Sequence, residues 1–227
     1  MVFKIHLLTC AMLLLSIQPF AQNEKRQSKK EPIEWSHSWI IAKPDSGALP
    51  GLLIIGDSHV ERYQPVVANK LKGFYAVSKI TTSGSMGDPE YINQIKALLG
   101  NVQFDVICFN NGLHGTTYPP EEYAKYIAVV YKLLRKNNSK VKIIWATTTA
   151  RRMSNNLESF DSYNEDVKKR NRSVTEFCTR KNIPMVDFYE MSMNHIDYYT
   201  KDGIHFNDIG VNAQAQMIVD SVYKMYK

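Results

Sequence analysis

The sequence predicts a three-layer α/β/α sandwich on a central five-stranded parallel sheet. Five short apolar runs, each bounded by turn residues, alternate with stretches of helical periodicity. At 227 residues, 44% hydrophobic and 22% charged, the chain also has the size and composition of one ordinary globular domain with a sizeable core.

The runs Leu52 to Ile55, Phe74 to Val77, Phe104 to Phe109, Val141 to Ala146 and Pro184 to Phe188 read as strands. The clearest helix follows Tyr118-Pro119-Pro120 and places Tyr123, Ile127, Val130 and Leu134 on one face, with proline tolerated in the first turn. The last helix begins near Asn207 or Asp208 and stacks Val211, Ala215, Ile218, Val222 and Met225. Right-handed crossovers then make the sheet parallel and gather the loops after Ile55, Val77, Phe109, Ala146 and Phe188 around one crevice.

The N-terminal stretch is of a different kind. Lys4 precedes a mostly apolar run, Ile5 to Ile17, which is followed by Pro19-Phe20-Ala21 and polar Gln22. This reads as a signal peptide over residues 1–21, and His6 and Thr9 interrupt a run already short of a membrane span. Residues 22–50 form a linker and tryptophan-containing lead-in, and residues 51–227 the folded domain. Export to the periplasm or outside the cell, with no stable membrane span after cleavage, is the expectation.

Loss of residues 1–21 removes Lys4 alone among charged residues, so the formal charge falls from +6 to +5. The surplus sits in Lys25, Arg26, Lys29 and Lys30 and in Lys168, Lys169, Arg170 and Arg172, without aromatic interleaving. These read as solvated surface, the last four on a helix, and no nucleic-acid partner is expected. Cys10 leaves with the signal; Cys108 and Cys178 are either a bridge or two buried thiols. No motif specifies an oligomeric state.

The chemistry-bearing residues fall at the predicted strand ends. Gly56-Asp57-Ser58-His59 follows the first strand, Thr82-Ser83-Gly84-Ser85 the second, and Asn110-Asn111-Gly112-Leu113-His114-Gly115 the third. Asp202-Gly203-Ile204-His205 precedes the last helix. Ser58 alone reads equally as a helix N-cap. Asp202, His205 and Asp208, or Asp57 and His59, could hold a metal, but the spacing matches no standard zinc motif and none is expected. His59 is expected to be structural or exposed; His114 flanks the crevice. Arg151 and Arg152 end the fourth strand, placed to hold an acidic sugar or carboxylate or simply exposed on a loop.

Taken in this order, the blocks resemble the SGNH (GDSL-type) hydrolase superfamily, whose fold is flavodoxin-like, over nearly all of residues 51–227. The resemblance implies an esterase acting through a serine acyl-enzyme, with Ser58 as nucleophile, His205 as general base and Asp202 orienting the imidazole. It further implies an oxyanion hole from the backbone N–H of Ser58 and Gly84, with Gly87 as second choice, and the side chain of Asn110, with Asn111 as second choice. His114 and Arg151 are the expected substrate contacts. No cofactor is implied. The implied substrate is a short-chain, chiefly acetyl, ester on a small molecule or glycan. A lysophospholipase or thioesterase, or an O-acyltransferase, is the alternative. The third block departs from the commoner Gly-x-Asn-Asp order, and Gly115 stands where an acid often follows Gly-Leu-His.

Overall fold

The computed structural model describes residues 31–41, 49–100 and 102–225. The expected signal peptide lies outside the described residues. Among the described residues no helix is long and apolar enough to cross a membrane.

Strand β1 (Ser36–Trp39) is followed by β2 (Gly51–Gly56), α1 (Ser58–Lys70), β3 (Ala76–Thr82), α2 (Pro89–Leu99) and β4 (Val106–Phe109). Then come α3 (Pro120–Asn137), β5 (Lys142–Ala146), a hairpin of β6 (Arg152–Met153) and β7 (Asn156–Phe160), and α4 (Asn164–Lys181). The chain closes with β8 (Met185–Val186), α5 (Phe188–Met193), a 3-10 turn (Ile196–Tyr198) and α6 (Asp208–Lys224).

The main sheet has the order β1-β3-β2-β4-β5-β8. Five strands are parallel, as the alternating pattern predicts, and β1 adds an antiparallel edge to β3. This edge strand corrects the reading of residues 22–50 as linker and lead-in alone. All four of its residues are exposed, so no apolar alternation betrays it. The second parallel strand is also displaced from Phe74–Val77 to Ala76–Thr82. Its polar residues have partners: Lys79 Nζ and Thr81 Oγ1 each donate to the Glu61 carboxylate at 2.6 Å, and Ser78 Oγ accepts from Ile41 N–H. Phe74 is 61% exposed, outside the core.

Alternate residues of the buried strands face opposite layers, as strand periodicity requires. Leu52, Ile54, Cys108 and Ile144 pack with α1 and α6; Leu53, Ile55, Ile107 and Trp145 pack with α2, α3 and α4. Cys108 and Cys178 belong to these opposite clusters and are both free thiols, so the sheet keeps them unbridged. From β2 the chain goes first to β3 on one side and later to β4 on the other. The end of β2 is therefore the topological switch point, where open α/β sheets leave a crevice.

Arg170 corrects the reading of the basic run on α4. Lys168, Lys169 and Arg172 are exposed, but Arg170 is fully buried. Its Nη1 donates to the carbonyls of Gly112 (3.0 Å) and His114 (2.9 Å), and its Nη2 to those of Gly115 and Tyr118 (both 2.7 Å). The guanidinium also lies over the rings of Tyr123 and Tyr163. Burial of a cation is tolerable because its planar fork meets four carbonyl oxygens of one loop at once. The segment after β4 is thus wound around a side chain of α4.

Arg170→Met removes the donor that four carbonyls share and is expected to lower the unfolding free energy by about 3 kcal/mol or more, with Arg170→Lys restoring little. Lys169→Met, on the exposed face of the same helix, should cost less than about 0.5 kcal/mol in the same urea titration. Equal effects would contradict the loop-anchoring role.

Candidate active site

Strand β2 runs fully buried to Gly56, where the first turn of α1 crosses so closely that a Cβ would stand 2.4 Å from Val60 Cγ2. Asp57 caps the helix, its Oδ1 accepting from His59 N–H at 2.9 Å. The capping role thus falls to Asp57, which leaves the Ser58 hydroxyl for another partner. That partner is His205: Ser58 Oγ lies 2.9 Å from His205 Nε2 across 147 residues.

His205 is delivered by the turn ahead of α6. Thr200 N–H donates to His205 O, Gly203 N–H to Thr200 O and Asn207 N–H to Tyr198 O. Gly203 has φ +73°, and a Cβ there would lie 2.2 Å from Arg152 O, because the β6–β7 hairpin packs directly on this turn. Arg152 N–H donates to Gly203 O at 2.8 Å, which fixes that packing. The hairpin escaped the sequence reading; its exposed, mixed residues carry little apolar alternation.

Asp202 holds the turn and the imidazole together. Its Oδ1 accepts from the backbone N–H of Ile204 and His205, both at 2.9 Å, and from the Thr200 hydroxyl at 2.8 Å. Its Oδ2 lies 2.6 Å from His205 Nδ1. Partial desolvation pushes the Asp202 pKa up, but the hydrogen bonds from the His205 ring, the two amides and Thr200 outweigh it and hold the carboxyl well below the usual range. A carboxylate here fixes the tautomer with the proton on Nδ1, so Nε2 is free to accept from Ser58. A hydroxyl, an imidazole and a carboxylate in this sequence can move the hydroxyl proton to the ring as the oxygen attacks an electrophile. Asp208 is not part of the group; it lies 3.8 Å from Arg62.

Behind His205 stands His59. The two rings stack with centroids 5.8 Å apart and 26° between planes, and Phe206 meets His59 edge-on at 5.0 Å. His59 Nδ1 lies 3.3 Å from Gln214 Oε1 and Nε2 lies 3.5 Å from Thr149 Oγ1. Burial pushes His59 below the usual histidine value, against the pull of the Asp57 carboxylate, and the neighbouring His205 adds to the lowering. His59 is therefore buried rather than exposed, and its ring backs the imidazole beside it.

The crevice over Ser58 and His205 has a volume of about 380 Å³ and is lined also by Leu113, His114, Thr116 and Arg151. His114 and Arg151, the expected substrate contacts, are both among these lining residues. Gly84 and Asn110 are not among the residues that line the crevice. Gly84 N–H donates to Thr82 Oγ1 (3.0 Å), and Asn110 Nδ2 donates to the carbonyls of Ala146 (3.0 Å) and Thr147 (3.1 Å). Asn111 joins the two loops, with Nδ2 donating to Gly84 O and Oδ1 accepting from Met86 N–H. Gly87 N–H is 3.5 Å from Ser85 Oγ. The Ser58 N–H, in the first turn of α1, is one of those a helix leaves without an internal acceptor. Arg152 turns inward, donating to Leu157 O and Met193 O. Glu31, Pro32 and Ile204 also line the crevice and were not foreseen. The Glu31-Pro32 pair sits in the polar lead-in, where nothing local marks it.

No protein-family model matches the chain. Among curated proteins it is 32% identical over 114 residues to the N-acylneuraminate cytidylyltransferase of Streptococcus agalactiae, a match covering 47% of this chain and 26% of that protein. The chain thus spans about a quarter of the length of the curated relatives it matches. Among solved structures it is similar to a GDSL-like lipase from Bacteroides thetaiotaomicron, with TM-score 0.65, 16% identity and coverage of 82% of this chain and 93% of that one. A carbohydrate esterase family 3 structure from Talaromyces cellulolyticus gives TM-score 0.64 and 15% identity over 78% and 98% of the two chains. An acetyl xylan esterase gives TM-score 0.60 and 18% identity over 76% and 99%. With its mostly parallel sheet, its switch-point crevice and these neighbours, the chain has the fold of the SGNH (GDSL-type) hydrolases.

Proposed function

We propose that the protein is an exported serine esterase that removes short acyl groups, acetyl above all, from a glycan or small-molecule alcohol. The observation that carries this reading is the alignment of Ser58 Oγ, His205 and Asp202 at 2.9 and 2.6 Å beside an open crevice. Ser58 attacks the ester carbonyl while His205 Nε2 takes its proton, and Asp202 stabilises the resulting imidazolium. The proton then passes to the departing alcohol. Water, activated by the same histidine, releases the acid and restores Ser58.

The oxyanion forms toward the Ser58 N–H, at the positive end of α1. Gly84 N–H and Asn110 Nδ2 join as donors by exchanging Thr82 Oγ1 and the Ala146 and Thr147 carbonyls for the oxyanion. His114 and Arg151 contact the alcohol part of the substrate. The small crevice favours a short acyl group, since a long chain needs an extended apolar groove. The names of the structural neighbours, acetyl xylan esterase and carbohydrate esterase, point to the same chemistry.

A series of p-nitrophenyl esters tests the acyl preference. Acetyl should exceed octanoyl by at least about tenfold in kcat/KM; the reverse order supports a lysophospholipase or thioesterase instead. Transfer of acetyl to added xylose in preference to water identifies an O-acyltransferase.

Asp202→Asn should lower kcat by roughly a thousandfold near neutral pH through loss of the productive tautomer. Because the folded pKa of Asp202 is depressed, its stabilising contribution is present above the ordinary carboxylate pKa of about 4 and is lost as pH falls further. The difference in melting temperature between wild type and Asp202→Asn is accordingly expected at about pH 7 and should shrink below about pH 4. A difference that grows on acidification contradicts the assignment.

A further inference from the structure

A carboxylate already sits in the crevice, and it belongs to the protein. Glu31 Oε1 lies 3.0 Å from His114 Nδ1 and accepts from Gly115 N–H at 3.3 Å; Glu31 Oε2 lies 3.1 Å from the same ring nitrogen. Neither donor is a mobile surface lysine. His114 is largely buried and sits on the loop that Arg170 anchors.

The anchoring explains why the loop presents donors here. In a trans peptide the C=O of one residue and the N–H of the next point in opposite directions, and the described chain has no cis bond. Arg170 draws in the carbonyls of Gly112, His114 and Gly115, so the N–H groups of Leu113, Gly115 and Thr116 turn away from it. Leu113, His114 and Thr116 line the crevice, and the Gly115 N–H reaches Glu31 there. Gly115 has φ +69°, and a Cβ at this position would meet Ser85 at 2.5 Å, so the loop takes this course only with glycine. The hydrogen-bond partners of the Arg170 side chain are carbonyls rather than carboxylates, so its positive charge lies behind the wall. Arg151, in contact with Asp161 at 3.4 Å, adds a second cation on the crevice.

We propose that the His114–Gly115 wall is a carboxylate subsite, that the ester cleaved at Ser58 carries a carboxylate on its alcohol part, and that Glu31 occupies the subsite until substrate displaces it. This rests on the esterase reading for its consequence but not for its binding chemistry. A substrate carboxylate takes over the His114 Nδ1–H and Gly115 N–H hydrogen bonds and releases the Glu31 side chain toward solvent. The exchange swaps one charge-assisted pair for another, so it favours an acidic substrate over a neutral one of the same shape.

The test compares O-acetyl glucuronate with O-acetyl glucose and reads the ratio of their kcat/KM values, which a general folding defect leaves alone. The ratio should exceed one in wild type. It should rise about tenfold in Glu31→Ala, through a lower KM for the acidic ester, and fall toward one in Glu31→Ala/His114→Phe. An identical ratio in all three overturns the proposal. Calorimetry with free glucuronate separates the two readings: Glu31→Ala should bind it and the double variant should not, whether or not either ester is hydrolysed. Absence of binding to folded Glu31→Ala overturns the subsite, whereas binding without hydrolysis of either ester overturns the esterase reading alone.

Discussion

Everything at the crevice depends on holding a hydroxyl and an imidazole, 147 residues apart in the chain, at 2.9 Å. A single partly exposed hydrogen bond contributes about 1 kcal/mol, far too little to bring the two segments together. The contact is a consequence of packing on both sides. Strand β2, buried along its length, fixes Ser58 at the sheet edge. The Asp202 carboxylate folds the segment before α6 into a tight turn, and the β6–β7 hairpin braces it from outside at Gly203. His59 and Phe206 close the space behind the imidazole. Rigidity on every side lets a weak contact have a defined geometry.

The second wall of the crevice follows another logic. Its segment after β4 has no regular ladder of its own, and the buried guanidinium of Arg170 takes the carbonyls of Gly112, His114, Gly115 and Tyr118. One cation binds four of the loop's carbonyls and so sets the direction of those peptides. The same winding turns the Gly115 N–H to the Glu31 carboxylate in the crevice.

The blocks after the first and third parallel strands were legible because each follows a continuous apolar run, the usual pattern of a strand buried on both faces. Ser58, Asp202 and His205 were picked out by the resemblance of their blocks, behind Ile55 and ahead of the last helix, to those of the SGNH hydrolases. Strand β1 and the hairpin were hidden for the converse reason, their residues being exposed or mixed, and Ser78, Lys79 and Thr81 hid the length of β3 by pairing polar groups within a strand. Arg170 was illegible because a basic run on a helix has the pattern of a solvated face; only the three-dimensional placement of four carbonyls distinguishes it from Lys169. Gly84 and Asn110 follow β3 and β4; the Gly84 N–H meets Thr82 Oγ1 two residues back, whereas the carbonyls that Asn110 Nδ2 meets lie on a segment remote in sequence.

The central claim is that Ser58 is a nucleophile activated by His205. A fluorophosphonate, which forms a covalent bond only with such a serine, tests it most directly when the labelled protein is digested and the adduct located by mass spectrometry. The account predicts a single stoichiometric adduct on the peptide containing Ser58, absent in Ser58→Ala and strongly slowed in His205→Ala. A folded wild-type protein that takes no label, or carries it on another serine, would contradict it.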